Sequence, residues 1–398
     1  WDPKHRLAIS VCWAGHDERV TLARLLGLEH SRDALELTAR WRTLVRPTFN
    51  IVAADVEGHV RYQTVGAEPR RGFTPIRGLL PGDGAHEWSG EIAPDSMPAW
   101  DVPADGFVVN GNNLPVGSAY PEPLPRFDWR QDRAHRMAER LAGDRRLTID
   151  DMASVQNDVV SLAAGQLVPL LLAHADSLGR RLTPRERVAL DTLRAWRFVT
   201  RRDRLAPTLF RAWWGSLLRV GGWSDVPGLA AAALEGRSPG AFHDPVTGAS
   251  APPAPIVGAA LDTALTRLDS LLGPDLARWT WGHAHEARFA HDLASLDPAL
   301  EPPLVPEDGD NVTPSVGASS LPRTPIVRHG PVWRQVVDLA HPGLAWGVIP
   351  PGNTADGPHA RDMLARWANH RYVPLAMDSA DIARLRESTL TLVPSSRR

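Results

Sequence analysis

Apolar side chains recur along this chain with two different spacings, and the change between them comes near residue 130. Before that point, alternation of apolar and polar positions predicts strands at 5–13, 49–55, 60–65 and 107–112. Apolar residues three and four positions apart predict two helices in the same part, at 17–28 and 31–46. Asp17 and Ser31 are the predicted N-caps of these helices, since both side chains can accept a bond from a first-turn amide.

Beyond residue 130 the helical spacing dominates. It predicts helices at 132–142, 150–163, 166–177, 184–198, 207–220, 256–272 and 285–293. Thr148 and Thr183 are predicted N-caps, and Thr183 is followed by Pro184, which suits the first helical turn. Short strands at 332–338 and 345–349 and a helix at 359–369 then precede a tail.

The remaining segments divide the chain. Proline-rich and glycine-rich sequence predicts loops at 67–105 and 221–255 and a linker at 297–306. Strands near both ends with helices between them predict an α+β fold, in which a sheet-containing domain is interrupted by a helical insertion. We therefore predict three segments: core strands with a functional loop at 1–128, a mainly helical insertion at 129–300, and a return to the core at 301–398.

Composition excludes several classes of function. The chain has 398 residues, of which 43% are hydrophobic, so it can bury a large core. Its net charge of −2 gives no electrostatic reason to bind nucleic acid or an anionic membrane. The most apolar stretch, 159–173, is too short to cross a bilayer. Cys12 is the single cysteine, which excludes an intrachain disulfide, and we predict that it is buried in a strand.

Asn112 and Asn113 are the most informative candidates for chemistry. They follow the predicted strand 107–112 within the run 106–115. Paired carboxamides at the end of a strand can aim neutral hydrogen-bond donors at an oxygen that becomes negative during acyl transfer. The alternative is that Asn112 is a turn residue that binds its own backbone.

Two other motifs suggest chemistry but fail on physical grounds. The segment 236–240 has the G-x-S-x-G spacing around Ser238, but Pro239 has no N–H to offer an oxyanion hole, so we predict a turn. His283, His285, Glu286 and His291 could suggest a metal site, although the H-E-x-x-H spacing is absent because position 289 is phenylalanine. We predict instead that these histidines cap helices or hydrogen-bond within a packed surface.

Several blocks spread over nearly the whole chain resemble the β-chain of the penicillin acylase family of N-terminal-nucleophile hydrolases. These blocks include Phe49 and Asn50, 66–70, 81–84, 106–115 with Tyr120 and Pro121, Gln156 and Asp158, 279–285, Gly309 and Asp310, Arg334 and Asp338, Pro351 and Gly352, and Asp362 with Trp367. The resemblance rests on their order and spacing, since no single block is decisive. It implies that the chain is part of a four-layer αββα core.

The resemblance also implies roles for particular residues. In that family a serine freed by self-cleavage is the nucleophile and its own α-amine is the base. Asn112 would then hold the oxyanion, and Arg133 would support the amine of the nucleophile. One structural calcium is expected in the complete protein, with Asp128 and the carbonyl of Ile76 as weak candidate ligands, and no organic cofactor is expected.

The complete protein is accordingly expected to release an acyl group from an amine-bearing core: a β-lactam, an acyl homoserine lactone or a lipopeptide. The chain begins at Trp1, so the nucleophile is expected upstream, and the α-chain and the first part of the β-chain are expected partners from one bacterial, periplasmic or secreted precursor. This chain alone is expected to be inactive. Two alternatives are a non-catalytic fragment that binds acylated ligands and a hydrolase that uses internal Ser, His and Asp residues.

Overall fold

The computed structural model describes residues 8–14, 22–46, 48–72, 79–104, 106–117, 119–122, 124, 131–143, 146–220, 226–238, 242 and 251–393. The chain divides into two compact units, Trp1–Gln131 and Asp132–Arg398. The predicted division of this chain into three segments stays a prediction.

The first unit is built on a small antiparallel sheet. Its described elements are α1 (Leu22–Leu26), α2 (Ala34–Trp41), β1 (Phe49–Ala54), β2 (Val60–Val65), β3 (Pro69–Arg71), β4 (Trp88–Glu91) and β5 (Ala99–Asp101). The strand order in the main sheet is β1-β2-β5, and β3 pairs with β4 separately. The predicted hairpin of β1 and β2 is confirmed, with Asn50 opposite Thr64. The strands β3, β4 and β5 lie in a segment that the sequence predicted to be a loop.

A carboxylate organises the turn between β1 and β2. The Asp55 side chain accepts bonds from the amides of Glu57 and His59, and it also accepts from the amide of Ala34 at the start of α2. Gly58 has φ 91°, a left-handed conformation that favours glycine. The predicted cap of α2 was wrong by two positions, because Asp33 and not Ser31 accepts from a first-turn amide. Asp17 lies outside the described residues.

Two strands predicted in the first unit are not formed within the described residues. Neither 8–13 nor 107–112 pairs with another described strand, and both are irregular. An alternating pattern gives a ladder only where a second backbone supplies hydrogen-bond partners. The prediction that Cys12 is buried was also wrong, since its side chain is exposed.

The second unit begins with a series of helices. Those described are α3 (Asp132–Leu141), α4 (Ile149–Gln156), α5 (Leu162–Asp176), α6 (Pro184–Ala195), α7 (Ala206–Val220), α8 (Pro227–Leu234), α9 (Pro253–Leu272) and α10 (Trp281–Ala284). Helices α5 to α9 enclose a core that contains Trp213 and Trp214. The indole N–H of Trp213 donates to the carbonyl of Val257 at 2.9 Å, so α7 and α9 share a buried polar contact as well as apolar packing.

The predicted helix starts at Thr148 and Thr183 are confirmed. Each threonine accepts a bond from the third residue of its helix, Asp151 or Glu186, whose carboxylate bonds the threonine amide in return. This reciprocal arrangement satisfies two first-turn amides that have no partner inside the helix. The sequence therefore determined these two boundaries locally.

Short strands and two helices complete the second unit. They are β6 (Glu286–Ala287), β7 (Val305–Pro306), β8 (Ile326–Val327), β9 (Arg334–Val337), β10 (Leu344–Val348), α11 (Leu364–Ala368), β11 (Val373–Ala376) and α12 (Ser379–Leu385). The two sheets have the orders β7-β6-β8 and β11-β10-β9. The predicted helix at 285–293 was wrong, because Glu286 and Ala287 form β6 and the residues after them are not helical. The segment predicted to be a tail contains β11 and α12.

Candidate active-site elements

The loop that carries Asn112 is shaped by asparagine side chains. The amide of Asn112 donates to Oδ1 of Asn110 at 3.0 Å, and the amide of Gly111 donates to Oδ1 of Asn113 at the same distance. Asn112 itself has φ 62°, in the left-handed region that asparagine tolerates better than most residues. Side chains therefore fix this backbone where the predicted strand would have used a ladder.

The base of this loop is attached to the sheet of the first unit. Nδ2 of Asn110 donates to the hydroxyl of Tyr62 on β2 at 3.4 Å. That hydroxyl donates to Oδ1 of Asn50 on β1 at 2.7 Å, and the Thr64 hydroxyl donates to the same oxygen at 3.0 Å. Tyr62 is 1% exposed and stacks on Trp100 of β5, with ring centroids 4.1 Å apart. A rigid sheet thus supports the asparagine loop.

Asn112 is exposed at the end of this arrangement. A carboxamide has two N–H groups that can donate to an oxygen on which negative charge develops. Tyr62 and Asn110 were not among the candidate residues from the sequence. The only local signal was the density of asparagine around Asn112, and it does not identify a tyrosine 48 positions from Asn110.

Arg133 lies at the second position of α3, where its side chain is half-buried. By helical spacing it shares a face with Arg136 and Arg140. Both of those arginines bond one carboxylate, that of Asp158. Arg136 makes a two-pronged contact with Asp158 through Nε and Nη2, at 2.9 and 2.8 Å, and Arg140 donates to Asp158 at 2.6 Å.

Asp158 is the residue that anchors α3. Its side chain is 3% exposed and also accepts from the amide of Val160 at 2.9 Å. Burial alone would raise the pKa of this carboxyl, but the hydrogen bonds from Arg136, Val160 and Arg140 outweigh burial, and the pKa is lowered. The carboxylate is therefore ionised, and the position of the helix that carries Arg133 depends on it.

Asn112 belongs to the first unit and Arg133 opens the second. Asp128 and Ile76, the candidate calcium ligands, lie outside the described residues. Within the described residues, no three His, Cys, Asp or Glu side chains are grouped so that they could hold a metal ion. The calcium site stays a prediction, and the described side chains give it no ligand set.

The histidines of the Trp279–His291 region all have intramolecular partners. The ring of His285 is fully buried and stacks on Trp281. Its two nitrogens lie 3.4 and 3.2 Å from the carbonyl oxygens of Glu307 and Gly317, and a neutral ring, which has one N–H, donates to only one of them. Desolvation lowers the pKa of His285 to about 4, so the ring is neutral. His283 bonds the Thr280 hydroxyl. The prediction of capping and packing histidines is confirmed at these positions.

Ser238 follows the end of α8 and is not on a nucleophile elbow. The amides of Gly236 and Arg237 bond the carbonyls of Ala233 and Ala232, and Gly236 has φ 73°. This is the usual glycine-terminated helix end. The predicted turn is confirmed as far as Ser238, while Pro239 and Gly240 lie outside the described residues.

A buried acidic residue and a buried basic residue lie near His285. Glu307 is 1% exposed and Arg334 is 2% exposed, and the nearest carboxyl oxygen and guanidinium nitrogen are 4.0 Å apart. No hydrogen bond reaches either carboxylate oxygen of Glu307 from the described residues. Burial raises the pKa of Glu307 to about 8, although Arg334 opposes this shift. Sequence analysis had singled out Arg334 but not Glu307.

An open cleft of about 950 Å³ lies between α4 and the sheet of β9 and β10. Its lining combines the aromatic rings of Trp346 and Tyr372 with Arg366 and Arg371. None of the predicted site residues lines it.

The sequence is similar to known proteins over nearly its whole length. The sequence model of the Penicillin amidase family matches residues 2–384. Penicillin acylase 2 proenzyme of a Pseudomonas species (strain SE83) is 27% identical over 392 residues, which is 94% of this chain and 49% of that protein. Acyl-homoserine lactone acylase QuiP of Pseudomonas aeruginosa is 24% identical over an alignment of 426 positions, gaps included, which covers 94% of this chain and 49% of that protein. The chain therefore spans about half the length of these relatives.

A solved structure supports the fold. The thermostable penicillin G acylase from Alcaligenes faecalis superimposes with a TM-score of 0.60 at 19% identity, covering 95% of this chain and 73% of that one. The similarity confirms the predicted α+β fold of an N-terminal-nucleophile hydrolase. With the family match over nearly the whole sequence, it confirms the predicted resemblance as well. The chain belongs to the penicillin amidase family.

Proposed function

We propose that the complete protein is an amide hydrolase that releases an acyl group from an amine-bearing core, and that this chain supplies Asn112 and Arg133 to its active site. The observation that carries the proposal is the geometry of the Asn112 loop. An exposed carboxamide is held on a left-handed backbone by two side-chain hydrogen bonds, in a chain of the penicillin amidase family.

Asn112 has the role of an oxyanion donor in this proposal. When a nucleophile attacks the amide carbon, the carbonyl oxygen gains negative charge, and the Asn112 N–H groups donate to it. A carboxamide stabilises this charge without being charged itself, so it does not bind the substrate carbonyl strongly before the reaction. Removal of one such donor typically costs about 3 kcal/mol in the barrier.

Arg133 has an electrostatic and orienting role. A guanidinium near the base lowers the basicity of an amine and presents fixed donors to neighbouring carbonyls. Its half-buried position on a helix that Asp158 anchors suits such a role. The serine nucleophile and its α-amine base are supplied by other parts of the complete protein.

The candidate acyl donors are a β-lactam, an acyl homoserine lactone and a lipopeptide. The names of the relatives favour the first two, and the described residues do not discriminate among the three. We propose a bacterial precursor that is processed into chains and acts in the periplasm or outside the cell. Among the described residues, no helix combines the length and apolarity needed to cross a membrane.

The experiment is a substitution that removes only the carboxamide. Asn112→Gly keeps the backbone unstrained, because glycine adopts positive φ freely. In the complete protein we expect kcat to fall about 100- to 1000-fold with KM nearly unchanged. Asn353→Ala is the control, because Asn353 is an exposed asparagine in the other unit.

Three substrates should be assayed in parallel: an acylated β-lactam, an acyl homoserine lactone and an acylated peptide. Loss of turnover in Asn112→Gly but not in Asn353→Ala supports the proposed role. Equal turnover in Asn112→Gly and the unmodified protein excludes it, and absence of turnover of all three substrates by the unmodified protein excludes the proposed function.

A further inference from the structure

We propose that Asn110 and Tyr62 are positioning residues that hold Asn112 in its donor orientation, so that the catalytic loop is controlled from the sheet of the first unit. This inference rests on the proposed role of Asn112. It adds two residues that act through Asn112 and do not touch the substrate.

The hydrogen bonds that link Asn50, Tyr62, Asn110 and Asn112 form a relay, and this relay begins in the sheet of the first unit. Asn50 on β1 faces Thr64 on β2, and Tyr62 lies two residues earlier on the same face of β2. Both hydroxyls donate to the single Oδ1 atom of Asn50. The Tyr62 ring is fixed by burial and by its stack on Trp100, which lies directly opposite in the register of β2 and β5. The hydroxyl of Tyr62 is therefore held in one place.

The direction of the relay follows from donor and acceptor chemistry. The Asn50 oxygen can only accept, so the proton of the Tyr62 hydroxyl points toward it. A lone pair of the same hydroxyl then faces Asn110 and selects the NH₂ group of the Asn110 carboxamide. This choice turns Oδ1 of Asn110 toward the amide of Asn112, where it accepts a bond at 3.0 Å. With the carboxamide reversed, an NH₂ group would face an N–H and both contacts would be lost.

The last step is the orientation of Asn112. Its left-handed backbone is uncommon for a residue with a side chain, and the bond from its amide to Asn110 closes the turn that holds it there. Asn113 gives the loop a second constraint through the amide of Gly111. The weakest contact of the relay is the 3.4 Å bond between Asn110 and Tyr62, and the most informative variants break that bond.

The first measurement is amide hydrogen exchange, which needs no activity. In the complete protein, Tyr62→Phe removes one hydroxyl and keeps the ring, and we expect faster exchange of the Asn112 amide. Tyr372→Phe is the matched control, because it removes a half-buried tyrosine hydroxyl that bonds Asn157 and Gln156 in the other unit. Unchanged exchange at Asn112 in Tyr62→Phe overturns the relay, whatever the activity.

The second measurement is steady-state kinetics on the same variants. We expect kcat to fall about tenfold in Tyr62→Phe and up to about 100-fold in Asn110→Ala, with KM unchanged, because a support of the transition state is lost rather than a substrate contact. Asn110→Ser should recover part of the loss, since serine can accept from the amide two residues on. The double variant should be no slower than Asn110→Ala, because both changes break one relay.

The outcomes separate the two proposals. If Asn112→Gly is inactive while Tyr62→Phe and Asn110→Ala keep full kcat, the relay is wrong and the role of Asn112 stands. If Tyr62→Phe lowers only the melting temperature and not the kcat of the folded protein, Tyr62 is structural and the relay is again wrong. If the unmodified protein hydrolyses none of the three substrates, the proposed function fails and this inference fails with it.

Discussion

Substitution of Asp158 tests how much its contacts with α3 contribute to the stability of the second unit. Replacement by alanine removes three hydrogen bonds from Arg136 and Arg140 and leaves the amide of Val160 without its acceptor. Breaking a buried ion pair from one side typically costs 3–5 kcal/mol. The arginine side chains are 19% and 29% exposed and can regain water, so the lower end applies. We expect the free energy of unfolding to fall by about 3 kcal/mol.

The matched control uses the same arginine. Arg136 also contacts Glu139 at 3.2 Å, but the Glu139 side chain is 53% exposed. Exposed pairs of this kind contribute at most about 1 kcal/mol. Glu139→Ala should therefore have a small effect, although it too removes a carboxylate from the same cluster. Urea denaturation followed by tryptophan fluorescence measures both variants, since Trp213 and Trp214 lie in the helical core.

The pH dependence of this difference is a second readout. The pKa of Asp158 is lowered in the folded chain, so its contribution is present above the ordinary carboxyl pKa and is lost as the pH falls through the folded value. The unmodified chain and Asp158→Ala should therefore converge in stability in acid. A loss in Asp158→Ala as small as that in Glu139→Ala at neutral pH, or a difference that persists in acid, would refute the proposed anchoring of α3.

Two further predictions concern buried positions in the second unit. Because burial raises the pKa of Glu307 to about 8, its protonated form stabilises the fold fully below the ordinary carboxyl pKa, and this contribution is lost as the pH rises from there through about 8. Glu307→Gln should remove this loss of stability in a pH series of urea titrations. A β-carbon at Gly215 on α7 would overlap the backbone carbonyl oxygen of Leu321, so Gly215→Ala should destabilise by about 1–3 kcal/mol. Gly228→Ala is the control, because no atom lies near the added carbon, and it should be neutral or stabilising. Thermal melts measure both variants, and equal melting temperatures would contradict the contact between Gly215 and Leu321.

Local features of the structure were predictable where neighbours in sequence suffice. The hairpin of β1 and β2 follows from alternation on both sides of a short turn, and its Asp55 carboxylate bonds amides only two and four residues away. The starts of α4 and α6 follow from Thr148 and Thr183, whose partners lie three residues on. These elements need no distant contact to define their ends.

Features that depend on a distant partner were missed or misplaced. The alternating segment 107–112 has no strand beside it within the described residues, so asparagine side chains determine its conformation instead. The arginines of α3 have the spacing of residues on a solvated helix face. They bond a buried carboxylate only because folding places Asp158, 22 residues from Arg136, next to them. Glu307 similarly looks like an ordinary loop carboxylate until packing removes its water.

The sequence by itself determined the family, the order of most elements and the identity of Asn112 as the candidate donor. It could do so because motifs and helix caps depend on residues that are close together in the chain. Only the tertiary structure decided what holds that donor, since the bond from Asn110 to Tyr62 joins residues 48 positions apart. Hydrogen bonds between distant residues leave no periodic signal, because their geometry exists only after the strands and helices have packed. The support of the Asn112 loop, unlike the loop itself, is therefore a property of the fold.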